Sequence, residues 1–552
     1  MKSLSLVAAL VGASAFGALK ITPAEKAAAK TVTAEGLRAH IRFLASDLLE
    51  GRGPATRGDQ LAEQYIASEF EALGLKPGGP DGSWFQPFDL VGVSGHPETM
   101  TVAKSGEKLE LKLSQDFMAT AGKQSPDSRL DNAEVVFVGY GIVAPEYQWD
   151  DYKGADLKGK VLLMMNNDPD WDPNLFAGKT RLWYGRWDYK YESAAKTGAA
   201  GAIIIHTTPS AGYPWQVVQT SWGGEKFSLP YEGGPQLEVQ AWATEDASKK
   251  IAAMGGKDLN ALIQSAKSRD FRPVALGVSV STAFHNDVQK KQTGNVIGVI
   301  KGSDPKLARE VVLYTAHHDH LGIKKGAKPG EDAIYNGAVD NASGSSALIT
   351  IARAFAALPK PSRRTVMFAA VAAEEQGLLG SQYLAQHPPV SPGAFAATIN
   401  IDGLNIWGKT KDISFIGLGK SSLDGIVKDL VAMQGRVVKP DLLPDRGFFY
   451  RSDQFNLAKI GVPAAYFHGG LDYVGRPEGW GKKMREEWEA TTYHQPSDEL
   501  KDSWNFDGAI DDVQLYFYLG EKVAQADKMP EWNKGDEFEQ ARKRALMSVG
   551  QR

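Results

Sequence analysis

Cysteine is absent from all 552 residues. Its absence excludes disulfides, thiolate metal ligands, a cysteine nucleophile and a lipid-anchored cysteine. Any metal must therefore be held by His, Asp and Glu. A charge surplus is also missing. The 62 Lys and Arg stand against 66 Asp and Glu, a formal net charge of −4, so no basic footprint argues for nucleic acid. Long apolar runs are scarce. The one near the start, Leu4 to Leu19, follows Met1-Lys2-Ser3 and precedes Lys20 and Pro23. It is too short to span a bilayer comfortably, and nothing comparable recurs. A basic start, an apolar stretch and small residues at Ala13, Ala15 and Ala18 read as a signal peptide over 1–23. The expectation is export, periplasmic or extracellular, without stable membrane insertion.

What remains has the composition of folded protein, 43% apolar and 23% charged. The length predicts two or three domains and leaves the oligomeric state open. Ala24 to Thr33, rich in Ala and Lys, reads as a mobile leader. Apolar residues at helical spacing predict a helix over Ala34–Leu49, from Leu37, Ile41, Leu44 and Leu48. A second is predicted over Gly58–Leu73, with Gly51-Arg52-Gly53-Pro54 breaking the chain between them. Trp84–Val93 reads as a strand. From about Ala133 the texture changes to strands at 134–140, 160–165 and 201–206 around a helix at 189–197. Aromatics are dense here, among them Trp149, Trp171, Trp183, Tyr184, Trp187, Trp215 and Trp222. They read as core and domain contact, and His206 as structural, in an inserted β-rich module. From Gly294 strand and helix alternate to about Phe467, which argues for an α/β domain with a mainly parallel, doubly covered sheet.

Three of its strands end in acid or imidazole. Val311–Ala316 runs into His317-His318-Asp319-His320, Thr365–Ala373 into Glu374-Glu375, and Phe395–Ile401 into Asp402. In an open α/β sheet, ligands bind in the crevice beyond the strand C-termini, so topology brings these segments to one rim. Asp340, on a loop before a predicted helix, and His494, in a late polar loop, add donors. Strand side chains alternate, so His317 and Asp319 share a face while His318 points away. A metal-bound imidazole usually gives its other N–H to a carboxylate, and Asp319 is placed to receive it. Of the adjacent glutamates, one can bind metal while the other stays free as a general base. Asp340 can offer its oxygens to two ions. Two His, two Asp and one Glu with a shared carboxylate suit a two-metal site, its ions about 3.5–4 Å apart. His318, His320, His387 and His468 keep a structural reading.

The segments T-A-H-H-D-H-L-G, G-A-V-D-N-A-S-G, A-A-E-E-Q-G-L-L-G-S, N-I-D-G, R-S-D-Q-F-N-L-A-K-I-G-V-P-A and Y-H-Q-P-S-D-E occur in this order. In them the chain resembles the M28 family of zinc metallopeptidases. L-A-S-D-L-L-E-G-R-G and N-V-I-G-V-I-K-G also match. V-G-Y-G-I-V-A-P-E-Y and A-A-K-T-G-A-A-G-A-I-I-I-H resemble the protease-associated (PA) domain inserted in some members. The resemblance implies a mixed, mainly parallel zinc-aminopeptidase-like α/β sheet with an inserted β-rich PA domain. It implies an N-terminal part of the peptidase domain over 24–130, the PA domain over 131–285, the catalytic domain over 286–525 and a C-terminal tail over 526–552.

Position by position, it implies two Zn2+. One would be held by His317, Asp340 and Asp402, the second by Asp340, Glu375 and His494. Asp319 would orient His317, and Glu374 would be the general base acting on a metal-bridging water. Tyr450 is a candidate oxyanion donor, with packing as its alternative. The implied activity is a secreted exopeptidase acting on peptide substrates, an aminopeptidase first. The alternatives are a carboxypeptidase of the glutamate carboxypeptidase II type, for which Arg446, Arg451 and Arg476 lie in the relevant region, and a non-catalytic transferrin-receptor-like binding protein.

Overall fold

The structure is a computed structural model that describes residues 19–324 and 326–549. The expected signal peptide lies largely outside the described residues. Where description begins, the expected mobile leader is instead a helix, Pro23–Ala29. Thr22 and Glu25 close a reciprocal capping box on it, which satisfies donors that a free helix end leaves open. Ala28 and Ala29 are buried, and Gln514 reaches the Ala29 carbonyl.

The central sheet is read best from Val311–His317. It pairs in parallel with Thr365–Val371 on one side and Phe395–Asn400 on the other. Ala464–Gly469 continues the parallel run beyond Phe395–Asn400. Asp412–Ile416 then adds an antiparallel strand, with Val437–Lys439 at the edge. On the opposite side the C-terminal half of Val274–Ile300 pairs antiparallel with Thr365–Val371. Alternate residues of one strand feed two cores. Val312, Tyr314 and Ala316 pack with the helices Gly344–Ala356 and Asp507–Gln525, whereas Val311 and Leu313 meet Leu384, Leu457 and Val462. Burial on both faces explains why these strands read as unbroken apolar runs.

Val274–Ile300 begins well before Gly294, where the alternation of strand and helix is expected to start, because its middle is polar and joins two sheets. Residues 286–296 pair with Phe85–Gly95 of the central sheet. Residues 274–285 pair with Asp127–Phe137 and, in part, Thr99–Lys104. The second sheet also holds Glu107–Lys112, Phe117–Ala121, Val161–Met165, Gly201–His206 and Val239–Thr244. Thr99–Lys104, ahead of residue 131, already pairs in this second sheet, so the crossing between the sheets falls between Gly95 and Thr99. The aromatics at the junction make the domain contact: Trp183 packs edge-on to Phe455 at 5.7 Å, with Lys459 above its ring. The C-terminal segment packs back on the sheet domain through Trp532, which donates to the Gly461 carbonyl, and Arg542, which donates to that of Phe395. No described helix is long and apolar enough to cross a membrane.

Candidate metal centre

The strand Val311–His317 ends on His317, which is 1% exposed. Its Nε2 lies 3.3 Å from Asp340 Oδ1, 3.4 Å from Asp402 Oδ1 and 3.9 Å from Glu374 Oε2. The Nε2 of His494 lies 3.2 Å from Asp340 Oδ2 and 3.2 Å from Glu375 Oε2. The two oxygens of Asp340 thus face different imidazoles. His317, Asp340, Glu374, Glu375, Asp402 and His494 all meet at the rim formed by the strand ends.

Local backbone aims these groups. Ala373 has φ +55°, which takes the chain out of extended geometry just before Glu374-Glu375. Alternation no longer separates the two side chains, so both enter the cluster. A non-glycine residue in the left-handed region costs energy and persists where surroundings impose it; His494, at φ +56°, is another. The Asp319 carboxylate accepts from the backbone N–H of Glu374 at 3.0 Å and of Glu375 at 3.3 Å. Its relation to His317 differs from the expectation. His317 Nδ1 donates to the Asp319 carbonyl at 3.2 Å, while the carboxylate stands 3.6 Å away. Asp319 therefore orients His317 by its main chain and the glutamate turn by its side chain. Asp498 accepts from the N–H groups of Val339 and Asp340, and Ser452 donates to Asp402 Oδ2 at 2.6 Å.

The donor set fits zinc. Four donors about 2.0–2.1 Å from a tetrahedral zinc stand about 3.3 Å from one another, and the imidazole–carboxylate separations around His317 and His494 lie at that value. Nitrogen and carboxylate donors without thiolate also suit this ion. Without an ion the cluster sorts its own charges. Burial would raise Glu375, but His494 outweighs it and brings the pKa down to about 2. Burial, opposed by His317 and reinforced by Asp402 and Glu375, holds Glu374 well above the usual carboxylate range.

Two placements correct the sequence reading. Tyr450 is not brought to the cluster. Its hydroxyl donates to Glu537 at 2.5 Å, and its ring packs edge-on to Phe455 at 5.3 Å. The residue is 3% exposed, so packing is its role. Tyr450→Phe is expected to leave turnover unchanged and to cost about 1 kcal/mol of stability, because Lys420 still pairs with Glu537. Steady-state kinetics with thermal melts check this; lost turnover at intact stability would return Tyr450 to the centre. His320, read as structural, donates to Glu375 Oε1 at 2.7 Å and stands with Asp340 and Glu375 as a third donor. The other histidines lie elsewhere: His318 on Asp59 at 3.0 Å, His387 near Glu232, His468 beside Tyr466, and His206 on the Tyr213 carbonyl. Tyr493, unremarked in the sequence, stacks on His494 at 3.9 Å.

A mainly parallel α/β sheet thus gathers imidazole and carboxylate at its strand ends, where an open sheet binds its ligands. Peptidase family M28 is the family whose model matches, over residues 295–518, and in that stretch the chain is similar to this family. It is 26% identical over 377 residues to "Probable glutamate carboxypeptidase AMP1" of Arabidopsis thaliana, covering 61% of this chain and 48% of that protein. It is 34% identical over 254 residues to "Aminopeptidase YwaD" of Bacillus subtilis (strain 168), covering 45% of this chain and 40% of that one. The chain thus spans about half or less of these curated relatives. Among solved structures, the aminopeptidase from Aneurinibacillus sp. strain AM-1 superposes with a TM-score of 0.50 at 21% identity, over 92% of this chain and 97% of that one. That likeness concerns the fold.

Proposed function

We propose that the protein is an exported di-zinc aminopeptidase that removes N-terminal residues from peptides. The observation that carries this reading is Asp340, whose two oxygens face His317 at 3.3 Å and His494 at 3.2 Å. A carboxylate placed so between two donor sets is suited to be shared by two ions, one with His317 and Asp402, the other with Glu375 and His494. When bound, such ions acidify water and polarise the scissile carbonyl. The chain supplies the rest. Glu374, beside His317 and held by its N–H on Asp319, takes a proton from the attacking water and returns it to the leaving amine. Asp319 and Asp498 fix the turns that carry Glu374, Glu375 and Asp340. Export rests on the N-terminal pattern. Free-amine chromogenic amides, assayed with and without a chelator, test the reading: chelator-sensitive release supports it, and release indifferent to chelation counts against any metal role.

A second reading, a carboxypeptidase, is favoured by Arg451. It is exposed, stacks on Phe448, and has no carboxylate at ion-pair distance among the described residues. Such a cation suits a substrate's terminal carboxylate. Arg446, in contrast, lies 3.5 Å from Glu489, and Arg476 stacks on Trp480. N-acetylated peptides separate the readings. An aminopeptidase rejects them and a carboxypeptidase cleaves them.

A further inference from the structure

Arg52 takes no part in the chemistry above, yet it is 0% exposed. It lies in the N-terminal L-L-E-G-R-G turn, far in sequence from every donor of the metal centre. All its hydrogen bonds go to main-chain carbonyls. Nε donates to His318 at 2.8 Å, Nη1 to Asn336 at 2.7 Å and to Leu44, and Nη2 to Gly337 at 3.0 Å. In return, its own carbonyl accepts from the His320 N–H, and that of Gly51 accepts from Gly322, each at 3.1 Å. Among the described residues no carboxylate stands at ion-pair distance from it. A buried cation without a touching counter-ion is costly, so its retention calls for a reason.

The backbone shows how closely the turn is fitted. Glu50, Gly51 and Arg52 are all left-handed, at φ +50°, +68° and +49°. A Cβ on Gly51 would meet the Gly322 carbonyl oxygen at 2.4 Å and that of Tyr335 at 2.6 Å. The turn is thus a wedge between two segments. One, 317–322, carries His317, Asp319 and His320; the other, 335–340, leads into Asp340. An outer loop separates them in sequence, and Arg52 spans both of its ends. The carboxylates of Asp319, Asp498, Asp340 and Glu375 surround the guanidinium at longer range and oppose the effect of burial, which brings its pKa down to about 10. Arg52 therefore stays a cation at neutral pH.

We propose that Arg52 is a positioning residue for the metal centre: its guanidinium sets the spacing of the 317–320 and 336–340 segments before any ion binds, and places a fixed positive charge beneath their carboxylates. The inference rests on the metal-centre reading. A neutral side chain of similar length cannot hold the carbonyls of His318, Asn336 and Gly337 together, whereas lysine keeps the charge and part of the bonding.

The test compares wild type, R52K and R52M by zinc competition against a chromophoric chelator, alongside hydrogen exchange of the chelator-stripped wild type. R52M is expected to bind zinc about 10–100-fold more weakly, the range for lost support of a metal ligand. R52K is expected to fall between R52M and wild type. The His320 and Gly322 amides of the metal-free wild type should already be protected. R52M with wild-type zinc affinity overturns the proposal, and so does R52K no better than R52M. If R52M does not fold, the wild-type exchange decides: protection before zinc supports the proposal, and exchange at open-loop rates overturns it. Wild type that binds no zinc overturns the metal-centre reading and, with it, this one.

Discussion

Glu374→Gln is expected to remove most turnover while leaving zinc content and thermal stability near wild type. The amide keeps the shape of the side chain and its place beside His317 but cannot accept a proton. Loss of a positioned general base typically costs about 10²–10⁴-fold, so kcat should fall by that factor with KM little changed. Glu374 Oε2 lies 3.9 Å from His317 Nε2, farther than the oxygens of Asp340 and Asp402, as expected of a group beside an ion rather than on it. Yet Glu374, His317 and Asp402 also bring donor atoms close enough together to hold a metal. The substitution separates these roles. A base leaves metal content intact as turnover falls. A ligand loses metal and turnover together, and elemental analysis beside the kinetics reads the difference. Near-normal turnover would remove Glu374 from both.

Much of the centre was legible because buried parallel strands are apolar throughout, and acid or imidazole at their ends stands out. His317, Glu374-Glu375 and Asp402 follow such runs directly. His320 was not legible by the same argument. Alternation places it with His318, away from His317, but the strand ends at His317, and past that point side-chain direction follows the turn. Tyr450 misled for the opposite reason. Its neighbours Ser452 and Asp453 are drawn to the sheet rim, but its own partner, Glu537, comes from a C-terminal segment with no pattern linking the two. The start of the second sheet was hidden because short strands such as Thr99–Lys104 look alike whichever sheet they join; only pairing assigns them. The Thr22–Glu25 capping box could have been read, as T-P-A-E is the pattern of a helix start, and it turns an expected leader into packed structure.

Asp340→Asn is expected to weaken zinc binding by more than about 100-fold, beyond the 10–100-fold range for losing a supporting hydrogen bond, with turnover falling in step. The asparagine keeps one oxygen but not the charge, so it cannot serve both the His317 and the His494 side as a carboxylate does. The loop itself should survive, because Asp498 holds the backbone N–H groups of Val339 and residue 340 independently of that side chain. A ligand that binds only the native state raises Tm. Zinc should therefore raise the wild-type Tm and leave that of Asp340→Asn nearly unmoved, each measured against its own metal-free form. The same carboxylate shapes the pH dependence of loading. Burial would lower the pKa of His494, but Glu375 and Asp340 outweigh it and push it up to about 10. His317 is also held well above the ordinary histidine value, with Glu374, Asp319, Asp340 and Asp402 overcoming burial. Both imidazoles thus carry protons at neutral pH in the metal-free protein and must release them to bind an ion. Zinc affinity should rise with pH through neutrality, by up to about tenfold per unit for each proton displaced, until His494 titrates near 10. With Asp340 neutral, one cause of that elevation is gone, and the pH at which the rise levels off should fall. Competition titrations at several pH values measure it; the same levelling-off pH in Asp340→Asn would mean that this carboxylate is not the link between the two imidazoles.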